Sequence, residues 1–258
     1  MIALELAGAR VAFSTRRGGV SEGPYESLNL GILTEDDPAR VIENRRRLAE
    51  WLGLRPEAIA MGWQVHGTEL REWPGPPRRS DGQTAEPGPA DRRGEAGFAE
   101  PGAPLPRVDG HVTSAAGVGL LVLVADCLPL ALASEDRVAM VHCGWRGLAA
   151  GIVERALERF PEPPAAAVGP GIGPCCYQVG REVQERFADL EGVAAGRMLD
   201  LRAIVRHKLQ SAGVVSIEEV DLCTSCQAEL FFSHRRDGGV TGRQAGLVWR
   251  PVEPSTAG

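Results

Sequence analysis

Three residues far apart in the chain share one setting. His66 closes the run MGWQVHG, Cys127 follows Asp126 at the end of GLLVLVADC, and His142 closes VAMVH within VAMVHCGWRG. Each is read as the polar end of an apolar strand, where a rigid element hands over to a solvent-facing loop. Two neutral imidazoles and a thiolate suit Zn2+ in charge and softness. Three protein ligands leave a fourth position for water or substrate, the pattern of a catalytic centre and not of a structural one. Spacing alone also allows two of the three to be ordinary core residues. Without metal, the same atoms would make a cysteine hydrolase with Cys127 as nucleophile and His142 as base. A third alternative is a zinc-stabilised interaction protein that turns nothing over. A multicopper oxidase wants clustered His-x-His ligands, and the five histidines form no such pair.

The remaining chemistry-bearing residues are weaker signals. Cys223-x-x-Cys226 and the adjacent Cys175-Cys176 are a competing metal cluster, two cysteine pairs that could form a structural zinc site. Neighbours in a chain rarely both point at one ion, so buried, inert thiols are the expectation there. For anions, Arg16 and Arg17 precede a Gly-Gly turn in STRRGGVS, where backbone N–H groups can face a phosphate. Arg146 stands before a helix expected to start near Gly147, whose N-terminus favours negative charge. No P-loop or dinucleotide fingerprint is present. His111, His207 and His234 pair with no other catalytic group by spacing and are read as structural or solvated.

These residues need a frame, and the chain has the material for one. It has 258 residues, 43% of them hydrophobic and 24% charged, enough to bury a full core. A net charge of -6 argues against nucleic acid and acidic membranes as partners. The N-terminal IALELAGAR lacks the basic and apolar regions of a leader peptide. The longest apolar run, from 118 to 125, is strand-length. A soluble, cytoplasmic chain with free or metal-bound thiols is expected.

Strands are expected at 11–15, 108–114, 119–125, 129–133, 138–142, 165–168, 214–217 and 244–249. A helix should run from the Asp37-Pro38 cap to Leu52, with Gly53 past its end and Val41, Leu48 and Leu52 on its apolar face. Further helices are expected at 147–160, 182–190, 201–212 and around Ala228. The absence of a regular βαβ rhythm points to a single α+β domain spanning 1–258 with mixed sheets. A Pro/Gly-rich, aliphatic-poor segment at about 74–107 reads as a surface insertion within it, because candidate site residues lie on both sides. The alternative is a functional lid.

Together STRRGGVS, SLNLG, ENRRRLAE, QVHGT, DGHVT, ADCLP, HCGWRG, GPGIGPCCYQVG and FFSHRRDGGVTGR resemble the bacterial multi-activity purine nucleoside enzymes of the laccase-domain (polyphenol oxidase, peptidoglycan editing factor-like) family. The resemblance covers nearly the whole chain outside the insertion. It implies a sandwich of mixed β-sheets flanked by helices, related to cysteine-hydrolase-like toxins, with zinc on His66, Cys127 and His142. It implies phosphorolysis of adenosine, inosine, guanosine and methylthioadenosine, and adenosine deamination. It also brings peptidoglycan-precursor editing and copper-dependent phenol oxidation as rival activities. Asn29 of SLNLG and Arg45 of ENRRRLAE join Arg16 and Arg146 as expected substrate and phosphate contacts. Purine nucleosides and phosphate are then the partners, and a monomer or weak dimer the expected assembly. One departure stands out: where the family usually has Ala before GWRG, this chain has Cys143. On an extended strand that thiol should point away from His142.

Overall fold

The computed structural model describes residues 1–74 and 105–252. The expected insertion at 74–107 falls almost wholly outside them. In chain order the strands are β1 (Ile2–Leu6), β2 (Ala9–Phe13), β3 (Ile59–Ala60), β4 (Leu70–Glu72), β5 (Gly110–Thr113), β6 (Gly119–Val124), β7 (Leu128–Ala133) and β8 (Val138–Cys143). After them come β9 (Ala165–Val168), β10 (Ala194–Ala195), β11 (Met198–Leu199), β12 (Ile217–Glu219) and β13 (Gln244–Trp249). The α-helices are α1 (Pro38–Leu52), α2 (Trp145–Ala150), α3 (Ile152–Leu157), α4 (Arg181–Gln184) and α5 (Leu201–Ser211).

Two mixed sheets carry the molecule. One has the order β1-β2-β13-β6-β3 and the other β12-β9-β7-β8-β5-β4. Strand alternation divides each strand between two cores. Leu120, Val122 and Val124 of β6 turn inward with Phe13 and Val248 and meet Ala131, Val138 and Met140 of the second sheet. Leu121 of β6 faces outward with Ala245 and Leu247, against Leu48 and Leu52 of α1. On the far side, Val141 and Cys143 of β8 pack with Leu148, Ile152, Val153 and the α5 residues Ile204, Val205 and Leu209. The result is helix, sheet, sheet, helix. Each fully buried Leu or Val contributes about 1.5–3 kcal/mol relative to exposure. Cys143 is therefore a core thiol pointing away from His142, as alternation requires, and burial pushes its pKa up.

Helix α1 shows how local sequence sets an element. The Asp37 carboxylate accepts the Ala39 N–H, Pro38 occupies the first turn, and Gly53 ends the helix at φ 66°. Several expectations need correction. The 147–160 helix is broken at Gly151, which sits at φ 92° and separates α2 from α3. The 182–190 helix shrinks to α4 and one 3-10 turn over Glu185–Phe187. Around Ala228 there are turns in place of a helix, and the Arg16 and Arg17 side chains donate to the Ala228 and Glu229 carbonyls there. Strand β1, paired with β2 across the Ala7-Gly8 turn, went unread.

Candidate metal centre and substrate pocket

The three expected ligands arrive by three different routes. His142 is the penultimate residue of β8, on the strand face that looks between the sheets. Cys127 lies in the crossover from β6 in one sheet to β7 in the other, after Asp126 at φ 95°. His66 is on no strand at all, which corrects the expectation for MGWQVHG. The 61–65 segment belongs to no strand; Trp63 exchanges backbone hydrogen bonds with Pro106 O (2.8 Å) and Val108 N (3.2 Å), and the Gln64 amide clamps the segment to β6 by donating to Leu123 O (2.7 Å) and accepting from Leu123 N (2.8 Å). His66 itself takes φ 59°. That left-handed conformation is uncommon for a residue with a Cβ and persists only where surroundings enforce it.

Asp109 enforces it. This fully buried carboxylate accepts the N–H groups of Val65 (3.0 Å), His66 (2.9 Å) and Gly67 (2.8 Å), and also faces His142 Nδ1 at 2.8 Å. One side chain therefore holds two candidate ligands. With Nδ1–H donated to Asp109, His142 presents Nε2 toward the cavity, the tautomer-fixing arrangement of metal-bound histidines. Burial opposes ionisation of Asp109, but these hydrogen bonds outweigh it and hold the carboxyl below its usual range. For Cys127 burial likewise opposes charge, and His142 and His66 outweigh it, bringing the thiol down to about 6. Burial lowers His142, while the Cys127 thiolate and Asp109 outweigh it and raise the imidazole to about 9.

One nitrogen or sulfur from each of His66, Cys127 and His142 lies within 4.8 Å of the others. Bonds of about 2.0–2.3 Å to one tetrahedral ion put ligand atoms roughly 3.3–3.8 Å apart, so only small side-chain adjustments are needed. Cys127 Sγ is 3.9 Å from His66 Nε2, and the two imidazoles stand 4.9 Å apart at 64°. Gly144 leaves the approach open: a Cβ there would come within 2.9 Å of His66 Cδ2 and 3.0 Å of Cys127 Sγ. The donor set and spacing fit a resident zinc or copper ion.

These residues form the floor of a cavity of about 460 Å³, in the size range of small-molecule sites. Met61, Trp63 and Leu123 supply apolar wall, and Tyr177 an aromatic face. Three arginines, Arg146, Arg235 and Arg243, also line it. Arg146 is exposed and lies 4.4 Å over the Trp145 ring; it is the second residue of α2, which begins earlier than expected. It does not pair with Asp126, whose carboxylate takes the Thr224 hydroxyl (2.6 Å) and the Arg235 N–H (2.7 Å).

The other expected contacts sit elsewhere. Arg16 donates to Glu26 O and Ala228 O and stacks on Phe232, outside the cavity lining. The Gly-Gly turn beside it is occupied internally: Gly19 N–H donates to Ser27 and Val20 N–H to Asn44. Asn29 is fully buried and orders the cavity rim by accepting from Gly31 N and Arg243 N. Arg45 is buried against Leu30 O. Asn29 and Arg45 thus brace the backbone from behind. Conversely, His234 lines the cavity, although spacing grouped it with structural histidines. Asp109, Tyr177, Arg235 and Arg243 went unassigned despite lying in DGHVT, GPGIGPCCYQVG and FFSHRRDGGVTGR.

Fold and site together define a single α+β sandwich with a His/Cys cluster able to hold a metal ion at one end. Residues 10–251 match the family model described as multi-copper polyphenol oxidoreductase laccase, and the chain belongs to that family. A Geobacillus stearothermophilus relative named purine nucleoside phosphorylase YlmD is 37% identical, over 96% of this chain and 92% of its own. The Escherichia coli protein named purine nucleoside phosphorylase YfiH is 35% identical over 94% of both. Among solved structures, YlmD from Geobacillus stearothermophilus superposes with a TM-score of 0.79 at 34% identity, covering 96% of this chain and 93% of that one. A Bacillus licheniformis hypothetical protein YfiH gives 0.79 at 29% identity, over 93% and 92%. No helix among the described residues is long and apolar enough to cross a membrane.

Proposed function

We propose that this chain is a zinc-dependent purine nucleoside phosphorylase, converting adenosine, inosine, guanosine and methylthioadenosine to free base and the ribose 1-phosphate, with adenosine deamination as a second activity. The observation that carries the reading is the convergence of His66, Cys127 and His142 on the floor of a cavity walled by aromatic side chains and three arginines. The names of its relatives support the same reaction.

Phosphorolysis forms a bond from a phosphate oxygen to ribose C1′ and breaks the C1′–N9 bond, whose electron pair leaves with the purine. The chain's residues divide this work. Trp63 and Tyr177 offer faces for the flat base, and the apolar wall excludes water from C1′. Arg146, Arg235 and Arg243 supply the positive charge a phosphate dianion needs, in a side chain whose planar fork holds two oxygens at once. Asp109 keeps His66 and His142 oriented throughout. An ion held by His66, Cys127 and His142 would supply Lewis acidity beside the bound substrate. Three ligands leave room for water as well as for substrate, which is why deamination at purine C6 is compatible with the same floor.

A second reading has a specific observation behind it. The lowered Cys127 thiol beside a raised His142 is also the pair of a metal-free cysteine hydrolase acting on an amide, such as a peptidoglycan precursor. Product analysis separates them. Adenosine and inosine are incubated with and without phosphate, on protein stripped of metal and reloaded. Ribose 1-phosphate that forms only with phosphate and only on reloaded protein supports the phosphorylase. Amide cleavage that survives chelation and dies on alkylation of Cys127 overturns it. Phenol oxidation by copper-loaded protein, without nucleoside turnover, overturns it too.

A further inference from the structure

Outside the pocket, two loops bring four more cysteines together. Strands β9 and β12 run parallel, with Val168 opposite Glu219, so their C-terminal ends lie side by side. Gly171 then bridges to Cys223. Beyond that point the first loop carries Cys175 and Cys176, and the second carries Cys223 and Cys226. All four Sγ atoms lie within 4.8 Å of one another. Cys226 Sγ is 3.5 Å from Cys175 Sγ and 3.4 Å from Cys176 Sγ. The adjacent pair thus both reach the same partner, against the expectation that chain neighbours diverge. Nor are these buried, inert thiols: Cys175 and Cys226 are exposed, and Cys176 and Cys223 half-buried.

We infer that Cys175, Cys176, Cys223 and Cys226 form a second, closed metal centre: a four-thiolate zinc site that clips the 173–177 loop to the 223–226 loop. A tetrahedral ion with zinc–sulfur bonds of about 2.3 Å sets its sulfurs roughly 3.8 Å apart, inside the range these atoms already occupy. The surroundings favour thiolate. Gly173 N–H donates to Cys223 Sγ at 3.2 Å, and Arg236 donates to Thr224 O (2.9 Å) and Ser225 O (3.4 Å) within the Cys-x-x-Cys turn. That guanidinium, ion-paired to Asp237 at 2.7 Å, braces the backbone of the turn.

A site with four protein thiolates has no open position, so its role is structural. What it fixes lies next to the pocket. Tyr177, just past Cys176, is in the cavity wall, and Thr224, just past Cys223, donates to Asp126, the neighbour of Cys127. The inference does not depend on which reaction the pocket performs.

The test loads metal-free protein with Zn(II), and in parallel with Co(II), whose thiolate charge-transfer absorption reports the number of sulfur ligands. Three proteins are compared: the unaltered chain, the pocket variant His66→Ala/Cys127→Ala/His142→Ala, and the loop variant Cys223→Ser/Cys226→Ser. The unaltered chain should bind about one more equivalent of zinc than either variant. The pocket variant should keep a four-sulfur cobalt spectrum that the loop variant lacks. A pocket variant that folds and binds no metal overturns the proposal. The unaltered chain carries a second readout that does not depend on the loop variant folding. With zinc bound, all four thiols should resist iodoacetamide and become reactive on chelation. Equal labelling with and without zinc, or disulfides among the four after anaerobic purification, also overturns it.

Discussion

The two thiol-bearing clusters stand at the same end of the sandwich and are built in opposite ways. The pocket cluster uses one thiol and two imidazoles on separate elements, held by a buried carboxylate. The loop cluster uses two short-range pairs on neighbouring surface loops, held by backbone N–H and an arginine against the loop. The first brings together three candidate ligands with a cavity in front, and the second brings together four. On the readings proposed above, the same metal would serve chemistry in one setting and architecture in the other, because coordination number and access decide what it can do.

The largest expected effect separates them by function. His66→Ala, Cys127→Ala and His142→Ala should each abolish nucleoside turnover and lose the pocket ion while the sandwich still folds. Full turnover with full metal content in any one of them sinks the three-ligand reading. Next comes the carboxylate behind the ligands. Asp109→Asn keeps the shape but replaces one accepting oxygen with a donor, facing three backbone N–H groups and His142. Such orienting partners are typically worth about 10–100-fold in metal affinity or activity. Zinc titration by a competing chelator should show that loss at the pocket only. Unchanged affinity would make Asp109 a folding residue.

Cys127 and His142 stood out as candidates because each lies at the polar end of an apolar strand, whereas His66, which ends no strand, stood out only by residue type. The α1 boundaries, β9 and β13 were legible because caps and apolar periods are local. What was not legible is long-range. Asp109 acts on residues 43 positions away, and nothing in DGHVT announces that its carboxylate will organise QVHG. Arg243 reaches the cavity only because β13, which it precedes, pairs with β6, and Arg235 only because its N–H is held by Asp126, just past β6. The cysteine pair 175–176 was discounted by a sound general rule that a tight turn overrides.

A smaller effect concerns phosphate. Arg146→Ala, Arg235→Ala and Arg243→Ala each remove one cation from the cavity wall, and Arg16→Ala removes one that points elsewhere. A hydrogen bond to a charged group contributes about 1.5–3 kcal/mol, and partial exposure leaves about the lower figure, a roughly tenfold rise in phosphate KM. At least one of the first three should show it with metal content intact, and Arg16→Ala should not. If Arg16→Ala alone raises phosphate KM, the anion site lies near STRRGGVS after all.

The smallest effect compares two glycines that press on the two clusters. An alanine Cβ at Gly144 would sit 2.9 Å from His66 Cδ2 and 3.0 Å from Cys127 Sγ, so both ligands must retreat. At Gly173 it would sit 3.3 Å from Cys175 Sγ and Cys223 Cβ and 3.6 Å from Cys223 Sγ, so a few tenths of an ångström suffice. Gly144 has φ -87°, which alanine adopts freely, so sterics alone are tested there. Overpacking of this kind costs from about 1 kcal/mol upward, which at the low end weakens binding about fivefold. Gly144→Ala should therefore weaken pocket zinc by that factor and leave the loop thiols protected from alkylation. Gly173→Ala should lower thermal stability slightly and leave pocket affinity where it was. The ordering is the sensitive part, because each glycine touches only one cluster. If Gly173→Ala weakened pocket zinc more than Gly144→Ala did, the two centres would be one coupled unit, and the division between an open chemical site and a closed structural one would fail.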